Sequence, residues 1–275
     1  MRMRVAHGDL SKARDARGAH GGAGILRYMS LYDKDAFETP WLFVHWGALK
    51  PSGGIGYHAH NGCEEMFAIF SNRARFTHNK NTAELWGRVC VPCRMGEAHG
   101  LYNPTTEDAY WMNFCVAGPS GKYDCEDFKD DLVNAPLGPV DRLPTGWFSR
   151  PALTPMPSAY GGKGTIFFRR VWGPEDFKTN WGFIGHVVVP PGCSIGYHTH
   201  RGMEECYVII DGRGRVTVDG ETREVGQWDA VLNALGGSHG ICNHTDRDLE
   251  IVSMAVAEKK GKLEAEDLGD DLAGR

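Results

Sequence analysis

The chain has 275 residues, 41% of them hydrophobic and 24% charged, with a net charge of −5 at neutral pH. That length suits two domains of ordinary size. The acidic balance, without a basic cluster, argues against nucleic acid as a partner, and no apolar run reaches the length of a membrane span.

Residues 1–20 form a polar extension, MRMRVAHGDLSKARDARGAH, that lacks the apolar core of a secretory signal. The expected compartment is therefore the cytoplasm, where the eight cysteines should be reduced thiols. Residues 21–134 form a first unit. WLFVHWGAL and MFAIF read as strands from their β-branched and aromatic content. Between these runs, GYHAHNGCEE supplies His58, His60 and Glu65, and GEAHGLYN supplies His99 further on. Cys90 and Cys93 form a Cys-x-x-Cys, but no second pair completes a zinc site, so two small residues on a strand are the expectation. CEDFKDDLV reads as a short helix or turn. A Pro- and Gly-punctuated connector covers 135–160, and its Trp147 and Phe148 suggest that it packs on a neighbouring unit.

Residues 161–275 form the second unit, with WGFIGHVVV, CYVII and GRVTV as strands and Asp219-Gly220 as a hairpin turn. GYHTHRGMEE supplies His198, His200 and Glu205, and GSHGICN supplies His239. Each of these four lies 140 residues after its counterpart in the first unit. The match extends to Phe37, Thr39, Trp41 and Phe43 against Phe177, Thr179, Trp181 and Phe183, and about a third of positions 21–132 are identical to their partners. Two copies of so long a unit are two homologous domains.

Side chains two apart on a strand share a face, so each His-x-His pair points one way. The Glu comes from the next strand and the last His from a later one. A β-barrel brings all four together in its mouth. Three imidazoles and a carboxylate, without a thiolate, suit a first-row divalent metal, and four protein ligands leave about two octahedral positions open. Isolated histidines such as His20, His45 and His244 read as ordinary structural residues.

The chain resembles the cupin superfamily. The resemblance rests on Gly192, His198, His200, Glu205 and Gly212 for the first motif, and on His239 and Asn243 for the end of the second. The first unit repeats the ligands and the His99–Asn103 ending, but Asn72 stands for Gly212 and Trp86 for Gly226. His78-Asn79-Lys80-Asn81 replaces the cleaner hairpin, and neither unit keeps the Pro-x-Gly portion of the second motif. The resemblance implies an all-β bicupin, two tandem antiparallel jelly-roll barrels with short flanking helices. It also implies a divalent transition metal (Mn, Fe, Ni, Cu or Zn), up to one per barrel.

Two chemistries fit such a site. The first expectation is an iron- or manganese-dependent oxygenase acting on a small polar organic molecule. The second is Lewis-acid isomerase, lyase or decarboxylase chemistry, which needs a protein acid or base beside the metal. Tyr207 shares the face of Glu205 and is the candidate proton donor; the first unit has Phe67 there. If one barrel alone is catalytic, Tyr207 points to the second. A metal- or small-ligand-binding barrel without catalysis is a third reading. The expected partners are a small-molecule substrate and, if the chain self-associates, further copies of itself.

Overall fold

The computed structural model describes residues 4–275. Each half of the chain builds one seven-stranded and one five-stranded antiparallel sheet. In the first half the larger sheet runs Gly146–Trp147, Val89–Cys93, Cys63–Ile69, Ala109–Ala117, Trp41–Leu49, Ile25–Asp33, Arg14–Arg17. The smaller runs Glu126–Asp127, Gly54–Ala59, Ala98–Tyr102, Arg73–His78, Asn81–Trp86. The second half repeats this order, and the two jelly-roll barrels pack together through their larger sheets. No helix of the described residues is long and apolar enough to cross a membrane.

The strands Cys63–Ile69 and Met203–Asp211 explain why the halves stay together. Neither alternates between apolar and exposed residues; nearly every position is buried. Glu65, Phe67 and Ile69 face the first barrel's interior, while Met66 and Ala68 enter a core shared by both barrels. That shared core holds Trp41 and Trp181, whose rings meet edge-on at 5.2 Å. Parity also turns Glu64 and Glu204 toward the opposite barrel. Glu64 Oε2 accepts hydrogen bonds from the Thr179 amide (2.8 Å) and hydroxyl (2.7 Å). Glu204 Oε2 accepts the same pair from Thr39, at 2.9 and 2.6 Å. Both carboxylates are fully buried, so these bonds replace the water each has lost.

The barrels also exchange edge strands. Arg4–His7, from the N-terminal extension, pairs with Asp229–Asn233 of the second barrel, and Gly146–Trp147, from the connector, pairs with Val89–Cys93 of the first. Each segment lies just ahead of one barrel and covers a sheet edge of the other, an edge that would otherwise be open to pairing with another chain.

The two ends of the interface differ. At one end Glu250 is fully buried. It receives His186 Nε2 at 2.7 Å, Arg88 at 2.6 Å and both arms of an Arg150 fork at 2.8 and 3.1 Å. The equivalent positions at the other end are Tyr110, Trp46, Trp228 and Leu10. There Trp46, Tyr110 and Trp228 form a ring cluster with centroids 5.8–6.4 Å apart. Duplication has thus left one end ionic and the other aromatic.

CEDFKDDLV, read as a short helix or turn, forms no helix and contains a short strand. Glu126–Asp127 pairs with Gly54–Ala59, and the corresponding Glu264–Asp270 pairs with Ser194–Arg201. Lys129 and Leu132 take positive φ (61° and 62°), which breaks any helix, and Leu132 plugs into the barrel, buried. Among the described residues the helical turns are all three-residue 3-10 turns, two of them interrupted by a left-handed residue, His20 and Tyr160. The connector packs as expected through Phe148, which is buried. In the first barrel, the replaced hairpin keeps a turn with two positive φ values, Asn79 at 46° and Lys80 at 67°, and Asn72 holds 57° where Gly212 holds 80°.

Glu250 offers a test of the ionic end. Burial raises its pKa, but the bonds from His186, Arg88 and Arg150 outweigh that and bring it down from 4.5 to about 2. A carboxylate with a lowered folded-state pKa contributes stability above its unfolded value and loses it as pH falls through the folded one. Glu250→Gln is expected to cost about 3 kcal/mol at neutral pH. The gap to wild type in denaturant melts should close between about pH 4.5 and 2. A gap that stays constant with pH would show that the charge of Glu250 is not what stabilises this end.

Candidate metal centres

Three strands of each barrel deliver the four candidate ligands. His58 lies on Gly54–Ala59 and His60 one residue beyond it, and the ladder pairs His58 directly with His99. His198 and His239 are paired in the same way in the second barrel. The carboxylates come from across the barrel, Glu65 on Cys63–Ile69 and Glu205 on Met203–Asp211. All eight side chains are buried, and in each group the ligand atoms lie within 4.8 Å of one another.

The spacing inside the groups fits a divalent cation. In the second barrel His198 Nε2 and His239 Nε2 each lie 3.1 Å from His200 Nε2. Glu205 Oε2 lies 2.8 Å from His200 Nε2 and 3.0 Å from His239 Nε2. In the first, Glu65 Oε2 lies 3.0 Å from His99 Nε2 and 3.4 Å from His60 Nε2. Donors on adjacent corners of an octahedron with bonds of about 2.1 Å stand about 3 Å apart. His58 Nδ1 and His198 Nδ1 each lie 2.8 Å from a backbone carbonyl, of Gly56 and Gly196, so each donates there and turns a bare Nε2 inward.

Electrostatics point the same way. Burial and the facing imidazole of His99 push His58 down to about 2, and burial with His239 pushes His198 to about 3, so both stay neutral. Burial opposes the charge of Glu65, but His60 and His99 hold its carboxyl well below the usual range. His200 and His239 do the same for Glu205. Glu65 Oε1 and His60 Nε2 are buried without a hydrogen-bond partner. Burial opposes a charge on His60, but Glu65 outweighs it and raises the imidazole to about 11, so the ring carries the positive charge that the anion attracts. Imidazoles converging on an anion, with orphaned polar atoms beside them, form a cation site.

The chambers above the two centres differ more than their ligands do. The first has about 500 Å³ and the second about 140 Å³. Polar groups line the first: His20, His45, Asn113, Tyr123 and Asp127. His20 stacks on His58 with ring centroids 4.0 Å apart, its Nδ1 lies 2.8 Å from Asp127 Oδ1, and Cys125 Sγ is 3.1 Å from the same nitrogen. At the equivalent place in the second barrel Tyr160 stacks on His198 at 3.9 Å. His45 and Asn113 correspond to Gly185 and Ser253, and Ser253 is tied to Glu205 by a hydrogen bond. The remaining wall of the second chamber is mostly apolar, including Met156, Ile166, Phe168, Phe183 and Met203.

Tyr207 lines the second chamber, stacked on His239 at 4.6 Å. Burial and the nearby Glu205 push its phenol well above the ordinary value, so it keeps its proton. His20 and His45, which read as ordinary in the sequence, both line the first chamber; the visible signal was His20 standing where the repeat has Tyr160. His244 lies at the surface, 3.3 Å from Glu224. Arg73 and Arg213 reach outward to Glu84 and Glu224 and do not enter a chamber. Cys90 and Cys93 are buried on Val89–Cys93, where burial pushes the Cys90 thiol up to about 12. Among the described residues neither joins a cluster of metal-binding side chains.

Protein purified without added metal is expected to carry about two equivalents of divalent metal. His58→Ala and His198→Ala should each lose one of them in elemental analysis. Full metal content in either variant would show that the corresponding group does not hold the ion.

Comparison with known proteins agrees with this geometry. The cupin domain family model matches residues 185–255. An oxalate-binding protein of Thermotoga maritima is 29% identical over 96 residues, 35% of this chain and 79% of that one. A β-D-galactosidase of Mycobacterium tuberculosis is 37% identical over 92 residues, 32% of this chain and 78% of that one. Among solved structures, the Mn(II)-containing oxalate decarboxylase of Bacillus subtilis superposes with a TM-score of 0.63 at 16% identity. That superposition covers 96% of this chain and 79% of the other, and it extends the likeness in fold across both barrels. With the ligand pattern in duplicate and two jelly-roll barrels to carry it, the chain belongs to the cupin superfamily and is a bicupin.

Proposed function

We propose that the protein is a metal-dependent enzyme whose reaction chamber is the first barrel, and that it carries out non-redox acid–base chemistry on a small anionic substrate. The observation that carries this reading is the His20–Asp127 pair, stacked directly on His58 at the chamber wall. His58, His60, Glu65 and His99 would hold the metal, with manganese or iron favoured. When bound there, the metal supplies Lewis acidity toward a substrate oxygen.

The chain's own groups do the rest. Asp127 fixes the proton of His20 on Nδ1, which leaves Nε2 free to take a proton from the substrate and return it. Stacking on His58 locks the plane of the His20 ring, so the base is held in place before substrate arrives. Phe43, Phe67 and Trp111 line the same chamber and keep water from the reacting groups. The second barrel pairs equivalent ligands with a small, apolar chamber. We assign it a structural metal, beside which Tyr207 packs on His239. The names of two relatives, oxalate-binding protein and oxalate decarboxylase, favour a carboxylate as the substrate's anchoring group.

An oxygenase is the second reading. It is favoured by the ligand set itself, since four protein donors leave two octahedral positions for substrate and dioxygen.

His20→Gln is expected to lower kcat by about 10²–10⁴-fold, the usual range for loss of a general acid–base group, with metal content unchanged. Turnover should proceed without oxygen consumption. Stoichiometric oxygen uptake would establish the oxygenase. Loss of turnover in Tyr207→Phe, with His20→Gln still active, would move the chemistry to the second barrel.

A further inference from the structure

The walls of the first chamber restrict what can occupy it, and the restriction rests on the reading of that chamber as the reaction site. Its volume of about 500 Å³ falls within the usual range of small-molecule clefts and far exceeds a two-carbon dicarboxylate. No lysine or arginine is among the described residues that line it. Apart from a metal and the imidazoles, the charged groups in the lining are Glu65 and Asp127, both acids. One carboxylate of a ligand can be neutralised at the metal; a second, deeper in the chamber, would meet these acids with no cation to answer it.

What the chamber offers instead is neutral hydrogen bonding. Asn113 is 6% exposed and its Oδ1 has no partner. An amide presents an acceptor and, after a half-turn, a donor, so the ligand group it suits best is a hydroxyl, which is both. His45 lies on the neighbouring strand, in register with Asn113, its ring stacked on Phe43 at 4.0 Å. Burial brings His45 down to about 4, so it is a neutral donor and acceptor at physiological pH. The second barrel has Gly185 and a Ser253 already bonded to Glu205, so this polar pair belongs to the first chamber alone. A buried polar atom left unpaired is costly, and a ligand that satisfies it is selected over one that cannot.

We propose that the first chamber binds a polyhydroxylated monocarboxylate of sugar-acid size, with the carboxylate at the metal and the hydroxyls on Asn113 and His45. Asn113 and His45 are then the specificity-determining residues. A small dicarboxylate such as oxalate satisfies neither.

Calorimetric titration of metal-loaded protein with D-galacturonate, D-galactose and oxalate tests this without any need for turnover. Galacturonate is expected to bind at least tenfold more tightly than either of the others. Asn113→Ala and His45→Ala should each weaken it at least fivefold, while Ser253→Ala leaves it unchanged. Asn113→Asp, which adds an acid at the same place, should weaken it further. Oxalate binding as tightly as galacturonate, galactose matching it, or indifference to both first-barrel substitutions would each overturn the proposal. A first site shown to carry metal that nevertheless ignores galacturonate overturns this substrate class and leaves the metal chamber standing. A first site that takes up no metal overturns the chamber itself.

Discussion

Two consecutive glutamates set the organisation of each barrel. On an extended strand, neighbours must point to opposite faces, so Glu64 and Glu65 cannot serve the same site. Glu65 turns inward to the imidazoles, and Glu64 turns outward to Thr179 of the other barrel. Glu205 and Glu204 repeat the arrangement with Thr39. Such a strand needs cover on both faces, since each carboxylate would otherwise be a buried charge without a partner. The barrel interior covers one face and the second barrel covers the other, so the pairing of the barrels follows from the same two residues that supply the metal ligand.

Duplication kept that framework and let the walls diverge. The ligand groups of the two barrels share residue types and offset, because changing one ligand destroys a centre. Nothing of the kind constrains the stacking partner of the first histidine, and there His20 and Tyr160 differ while keeping nearly the same ring distance, 4.0 and 3.9 Å. Tyr160 packs there, and burial with the nearby Glu205 raises its phenol, so it keeps its proton. An imidazole held by Asp127 packs and can also move a proton. A further exchange, His45 and Asn113 against Gly185 and Ser253, gives one barrel a wide polar chamber and leaves the other a narrow apolar one.

The ligands were legible in the sequence because their chemistry is unusual and their spacing occurs twice. The all-β fold was legible from strand-like runs and paired turns. His20 was legible only as a difference from Tyr160 in the repeat: it sits in a short turn at a left-handed φ of 52°, remote in sequence from the strand it stacks on. Asp127 was missed for a related reason. CEDFKDDLV carries charges at a spacing a helix would tolerate, and only its pairing with Gly54–Ala59 brings Asp127 to His20. Tyr207 is legible as a difference from Phe67 at the same place in the repeat, but chamber size is set by side chains from several strands, and the chamber around Tyr207 is the smaller.

The exchanged edge strands carry the coupling one step further. Val89–Cys93 lies beside the ligand strand Cys63–Ile69, and its outer edge is covered by Gly146–Trp147 from the connector. Phe148, next in the chain, is buried in the core shared by the barrels, 5.8 Å from His186 of the ionic cluster. The strand that bears Glu65 is therefore held along one side by a segment anchored in the interface and at Glu64 by the opposite barrel. Glu65 cannot shift without moving Glu64, and Glu64 cannot move without breaking its bonds to Thr179. A centre mounted in this way has its carboxylate positioned before any metal or substrate arrives, and that pre-organisation comes from the neighbouring barrel.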